Sequence, residues 1–148
     1  MDKFEWQGCL RCLFAALLLS ALVSTTTLAE VLVIGNKDSG VGSLGESQVA
    51  ALYLGKASKL PDGTLAEVID LPEGSPVRSE FYKKVVHKTD KQVRAYWAKR
   101  IFTGKGAPPD TLPDEASVVQ WVAAGKGRLG YVSGAASTDN VKVLLRKP

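Results

Sequence analysis

Short runs of apolar, β-branched residues alternate with longer amphipathic segments along most of this chain, and this alternation constrains the fold most strongly. "VLVI" at 31–34 is a continuous apolar run of the kind that forms a buried strand. Apolar spacing over 46–54 predicts the first helix. Further strands are expected at 65–71, 128–132 and 141–145, and further helices from Pro76, after Thr89 and over 115–125. Strands alternating with helices predict an α/β domain with a small mixed sheet covered by helices.

Residues at the expected helix starts support these boundaries. Ser75 is a good N-cap, and Pro76 suits the first helical position because the N–H there has no partner inside the helix. Thr89 begins a capping-box pattern, and Asp114 can cap the last helix. The segment 104–113, "GKGAPPDTLP", shows no regular pattern, so we expect irregular structure there.

Residues 1–29 have the form of a secretory signal peptide. Two basic residues precede an apolar run from Leu13 to Val23, and small residues follow it up to Ala29. The run is short for a bilayer span, which takes about 20 apolar residues. A retained membrane anchor is the alternative interpretation. We expect cleavage after Ala29 and export of residues 30–148 as one domain.

Both cysteines, Cys9 and Cys12, fall in this leader, although their C-x-x-C spacing is one that redox motifs use. An exported chain without disulfides is more typical of a bacterial periplasm than of small eukaryotic secreted domains. The net charge is +4, with Lys and Arg scattered along the chain, whereas nucleic-acid binding needs them clustered. We therefore expect a soluble periplasmic protein with no nucleic-acid partner.

No catalytic or metal-binding set can be assembled from the residues. His87 is the only histidine, and a general base needs an arranged partner. "FTGKG" at 102–106 lacks the full phosphate-loop pattern and follows a helix instead of a strand. Trp97 and Trp121 recur with apolar residues at helical spacing, which indicates core packing. We expect no enzyme activity, no cofactor and no metal.

The stretch "EGSPVRSEFYKK" at 73–84 is the best candidate site. A helix start offers unpaired backbone N–H groups and a partial positive charge, which favour an oxyanion. Ser75 can donate a hydrogen bond to such an ion, and Arg78 can add a charged contact. The alternative is that Ser75 only caps the helix, while Arg78 is solvated or pairs with a carboxylate. Both interpretations stay open on these residues alone.

Three longer motifs resemble one known family. They are "YLGK" at 53–56, "FTGKGAPP" at 102–109 and "GRLGYV" at 127–132. Together they resemble the substrate-binding proteins of ABC-type phosphate importers, which have a periplasmic-binding-protein-like fold. The resemblance implies that this chain is one such lobe and that its ligand is inorganic phosphate or a similar small anion. It also implies a membrane transporter as a partner.

The resemblance also shows what differs at the candidate site. The helix-start motif of that family reads roughly R-x-x-x-S-G-T, and Ser75 stands at its Ser. Pro76 and Val77 replace the Gly and Thr, and Leu71 stands where the Arg would fall. Arg78 is the only nearby basic substitute. These departures imply an altered anion site.

Members of that family close two lobes over phosphate, and this chain resembles one lobe. The glycine-rich loop with Asp38, Ser39 and Ser43 is a second candidate for lining the same cleft. A single lobe leaves the anion half exposed to water, so we expect weak binding unless two copies pair as a homodimer. The alternative function is a non-transport module that has lost tight ligand binding and contacts a membrane sensor or another envelope protein.

Overall fold

The computed structural model describes residues 30–148, so the predicted signal peptide and its cleavage point lie outside the described residues. A π-helical segment, Tyr82–Val86, directly continues the second helix. The strands and helices in chain order are β1 (Val31–Asn36), α1 (Glu46–Tyr53), β2 (Glu67–Asp70), α2 (Pro76–Phe81), α3 (Asp90–Phe102), β3 (Asp110–Thr111), α4 (Glu115–Ala123), β4 (Arg128–Ser133) and β5 (Val141–Lys147).

The five strands form one mixed sheet in the order β3-β2-β4-β1-β5. β2 runs parallel to both β3 and β4, whereas β1 runs antiparallel to β4 and β5. β1 lies between two other strands, and all six of its residues are buried, as its continuous apolar run predicts.

Helices pack on both faces of this sheet. Gly130 on β4 faces α4: a Cβ added there would lie 2.4 Å from Val118 Cγ1. Tyr131, the next residue, must point to the opposite face, where its ring stacks on Phe81 of α2 at 3.9 Å. Tyr53 of α1 contacts Phe81 edge-on at 4.7 Å. The α/β fold class with a small mixed sheet covered by helices is confirmed.

The helix starts are the ones that the sequence predicts. Ser75 caps α2, and Thr89 caps α3 with a complete capping box. Asp114 caps α4 by accepting the backbone N–H of Ser117 at 2.7 Å. These caps could be predicted because each depends on residues three positions apart.

Two local features differ from the expectation. β3 forms inside the segment expected to be irregular, where Ile69 and Asp70 of β2 pair with Asp110 and Thr111. A strand of only two residues is too short to show a strand pattern in the sequence. β3 forms because its backbone pairs with the exposed edge of β2. The helix after Ser75 also changes to π-helical geometry and ends at His87.

His87 lies on the surface at the end of the π-helical segment. It adopts a left-handed backbone with φ 58° and its exposed ring contacts Glu46 Oε2 at 3.0 Å.

Within residues 30–148, no helix is long and apolar enough to cross a membrane.

Candidate functional site

The candidate anion site lies at the turn that leads from β2 into α2. β2 ends at Asp70, Gly74 turns the chain with a positive φ of 89°, and α2 begins at Pro76. The Oγ of Ser75 accepts the backbone N–H of Arg78 at 3.3 Å. Ser75 therefore caps α2, whatever else it does.

The side chain of Arg78 is buried and paired. Only 6% of the residue is exposed. Its Nε donates to Asp70 Oδ2 at 3.2 Å, and its Nη1 donates to Asp90 Oδ1 at 3.3 Å. Its guanidinium carbon lies 4.8 Å from the centre of the Tyr82 ring. The alternative interpretation of Arg78 is that it is solvated or pairs with a carboxylate. It pairs with two carboxylates and is not solvated.

Asp70 accepts hydrogen bonds from four donors. Its Oδ1 accepts the backbone N–H of Leu71 at 2.8 Å and the hydroxyl of Tyr131. Its Oδ2 accepts the hydroxyl of Tyr82 at 2.9 Å together with Arg78 Nε. A carboxylate offers about four lone-pair directions, so these donors saturate it. These donors supply the hydrogen bonds that a carboxyl group needs when only 3% of its residue is exposed.

The charge states of this cluster are fixed by its burial. Burial raises the pKa of Tyr82 and of Tyr131 far above the usual range, and the negative charge of Asp70 adds to the effect. Burial lowers the pKa of Arg78, but the attraction of Asp70, the hydrogen bond to it and the influence of Tyr82 and Tyr131 together outweigh burial, so the pKa is raised overall. Both tyrosines are therefore neutral donors, and Arg78 is a cation.

The electrostatics of the cluster do not favour a strong anion site. The positive charge of Arg78 is balanced by two carboxylates before any ligand arrives. Its Nη2 donates no hydrogen bond within residues 30–148. Arg78 also lines a cavity of about 390 Å³ together with Leu71, Glu73 and Trp97. A ligand that contacts Arg78 without displacing a carboxylate must use the second N–H of Nη1 or the N–H groups of Nη2.

Leu71, which stands where the Arg of the family's motif would fall, lies in the core. It is buried, and its backbone N–H donates to Asp70 Oδ1 and to the hydroxyl of Tyr131 at 3.2 Å. An apolar side chain in this position contributes to the core and offers nothing to an anion.

The glycine-rich loop lies elsewhere. β1 runs antiparallel to β4 while β2 runs parallel to it, so the loop after β1 and the turn before Ser75 leave the sheet at opposite ends. Asp38 and Ser43 are exposed, whereas Ser39 is buried and its carbonyl accepts Lys142 Nζ at 2.9 Å. The expectation that this loop lines the same cleft as Ser75 is wrong. Anion binding by the loop itself stays a prediction.

Sequence reasoning missed the residues that hold the pair of Arg78 and Asp70. Asp70, Asp90, Tyr82 and Tyr131 lie on four different elements, and no spacing pattern links them. One signal was available, because Asp70 is a charged residue at the end of an apolar strand. Such a residue must find partners when the strand is buried.

A second cavity, of about 460 Å³, is lined by residues of α4 and of the segment after β4. Glu115 at its edge accepts the backbone N–H of Ser133 at 2.6 Å. Its lining includes no lysine or arginine, so it does not favour an anion either.

In the part of the chain that the structure describes, no group of three or more His, Cys, Asp or Glu could hold a metal ion.

Solved structures share this fold. The chain aligns with an ABC-type phosphate transport receptor from Vibrio cholerae with a TM-score of 0.64 and 16% identity, over 78% of this chain and 45% of the receptor. It aligns with a putative phosphate ABC transporter substrate-binding protein with bound phosphate from Clostridium perfringens with a TM-score of 0.62 and 18% identity, over 78% and 44% of the two chains. The fold is that of phosphate-transporter binding proteins. PstS from Borrelia burgdorferi aligns with a TM-score of 0.60 and 10% identity, over 78% and 46%.

The resemblance inferred from the three sequence motifs is thus confirmed at the level of the fold. The chain spans less than half the length of these solved structures. They are transport binding proteins rather than enzymes. No family model matches the sequence, and no curated protein matches it.

Proposed function

We propose that this chain is an exported binding module that takes phosphate or a similar oxyanion weakly at the start of α2. The observation that carries the proposal is the fold, which it shares with a substrate-binding protein that was solved with bound phosphate. Ser75 supplies a suitable group there. Its hydroxyl oxygen accepts the capping bond from Arg78, and its proton remains available to an oxyanion.

Three features make the proposed binding weak. Pro76 has no N–H, so the helix start has one donor fewer than usual. The charge of Arg78 is already shared between Asp70 and Asp90. An anion held by one lobe also stays partly in water, where each contact contributes less than in a dry site. We therefore expect a dissociation constant in the millimolar range, on the order of 4 kcal/mol of binding free energy.

Isothermal titration with phosphate tests this function, and sulfate serves as the competing oxyanion. Ser75→Ala should weaken the binding of phosphate severalfold. Ser43→Ala is the matched control, because Ser43 is exposed at the opposite end of the sheet. A loss at Ser43 with no effect at Ser75 would transfer the site to the glycine-rich loop. The absence of heat up to phosphate concentrations about tenfold above this dissociation constant would contradict the proposal.

The location and the assembly belong to the same proposal. Export to the periplasm implies a mature protein whose first residue is Glu30, which N-terminal sequencing of the exported protein checks.

A homodimer would rebuild a two-lobed cleft from identical halves. Light scattering that finds only monomer, with and without phosphate, would remove the dimer.

The second candidate is a non-transport module that contacts a membrane sensor or another envelope protein. The burial of Arg78 between two carboxylates favours it, because this pairing leaves the helix start without an uncommitted positive charge. Pull-down from envelope extracts should then recover a partner equally well with and without phosphate. A partner recovered only with phosphate would support the first candidate instead.

A further inference from the structure

The turn after α1 meets the end of α3 and the loop that follows it, and together they carry a group of positive charges. Arg100 joins them, because its Nη2 donates to the carbonyl of Lys105 at 2.6 Å and to the carbonyl of Gly55 at 3.4 Å. We call residues 55–56 and 99–106 the Phe102 tip. The tip contains three lysines and one arginine, and it contains no acidic residue. Positive charge that looked scattered in the sequence is therefore gathered here by the fold.

Large apolar side chains project from the same tip. Phe102 is 92% exposed and Ile101 is 56% exposed. Ile101 lines the cavity that Trp97 and Arg78 also line. An aromatic ring left in water next to a second apolar side chain marks a surface that binds something apolar.

Three lysines belong to the same tip as this apolar pair. Lys99 precedes Ile101 by two residues, Lys105 follows Phe102 by three, and Lys56 lies in the turn that Arg100 holds against them. All three lysines are exposed. The matching partner is apolar at the point of contact and negatively charged around it.

We propose that the Phe102 tip docks onto an anionic lipid surface. Phe102 and Ile101 enter the boundary between headgroups and acyl chains, and the lysines contact the lipid phosphates. A lipid surface matches this chemistry, because a bilayer offers apolar acyl chains beneath negatively charged phosphates and can deform around the projecting ring of Phe102. The proposal is independent of phosphate binding at Ser75.

Vesicle flotation and hydrogen exchange of the full chain test the proposal. Vesicles of phosphatidylcholine with one quarter phosphatidylglycerol should bind at least tenfold more tightly than pure phosphatidylcholine. Phe102→Ser should weaken the binding about tenfold, as expected for removing one buried aromatic side chain. Lys99→Ser and Lys105→Ser together should weaken it about 25-fold, near fivefold for each lysine, and should reduce its dependence on salt. Anionic vesicles should slow amide exchange over residues 99–106.

Leu65→Ser is the matched control, because Leu65 is a large apolar residue that is 67% exposed and lies outside the tip. All variants retain residues 1–29, so any contribution of the leader to vesicle binding is the same in each. Equal binding of the Phe102→Ser variant and the unchanged chain would overturn the proposal. So would unchanged exchange over 99–106. Protection of 99–106 by an envelope protein, with none from vesicles, would replace the lipid surface with a protein partner.

Discussion

Arg78 Nε donates to Asp70 Oδ2 at 3.2 Å, and this ion pair joins the start of α2 to the end of β2 inside the protein. Two tyrosine hydroxyls and one backbone N–H complete the shell of Asp70. The residue that looked most suitable for an external anion therefore serves an internal one. The same pairing stabilises the turn that presents Ser75.

Removal of Arg78 should be strongly destabilising. Arg78→Met would leave Asp70 buried without its cation, and breaking a buried ion pair from one side costs about 3–5 kcal/mol. Urea denaturation measures the loss. Arg94→Met is the matched control, because Arg94 contacts Glu73 at 3.5 Å on the surface and such a pair contributes about 0–1 kcal/mol. A loss below about 1 kcal/mol for Arg78→Met would contradict the burial of this pair.

The helix caps and the buried pair show why parts of this structure could be predicted from the sequence and others could not. Ser75 and Asp114 cap their helices through N–H groups three residues away, which a linear pattern reveals. Arg78 is held by Asp70 and Asp90, which precede and follow it by eight and twelve residues on different elements. Only the order of the strands and the packing of helices on them decide such contacts.

Strand direction also determines where the glycine-rich loop lies relative to Ser75. Its composition suggested a ligand loop, but the antiparallel pairing of β1 with β4 places it away from Ser75. A mixed sheet cannot be distinguished from a parallel one by apolar runs alone, because buried strands of both kinds look alike in sequence. The alternation of elements therefore predicted the fold class but not the geometry of the site.

Three buried tyrosines should make the fold unstable at alkaline pH. Burial raises the pKa of Tyr53, Tyr82 and Tyr131, each of which lies close to the charge of Asp70. In the unfolded chain they ionise near pH 10, so the unfolded state binds fewer protons above that pH. Their contribution is complete below pH 10 and falls by about 1.4 kcal/mol per tyrosine for each pH unit above it.

Urea denaturation between pH 9 and pH 11 measures this slope, and absorbance at 295 nm reports phenol ionisation. Tyr82→Phe removes one of the three groups and should reduce the alkaline slope by about a third. Ionisation of all three tyrosines near pH 10 with the fold intact would show that they are not buried as described.

Arg100 should hold the Phe102 tip together. Its guanidinium donates to the carbonyls of Gly55 and Lys105 and to the hydroxyl of Tyr96 at 3.4 Å. Arg100→Met should cost about 1 kcal/mol and speed amide exchange in both parts of the tip, because it removes the hydrogen bonds that link them and leaves the exposed carbonyls to water. Lys99→Met, one residue away and exposed, should leave exchange unchanged. Equal exchange in the two variants would show that backbone contacts alone order the tip.

The approach of α4 to the sheet requires a glycine at position 130. A Cβ on Gly130 would lie 2.4 Å from Val118 Cγ1 and 3.2 Å from Val122 Cγ2, so Gly130→Ala forces α4 away from β4. Overpacking of this kind costs about 1–3 kcal/mol, which thermal or urea denaturation detects. Gly42→Ala is the control, because nothing lies within 4 Å of its added Cβ and its effect should stay within about 0.5 kcal/mol. If Gly130→Ala were as stable as Gly42→Ala, α4 could not lie as close to β4 as the structure places it.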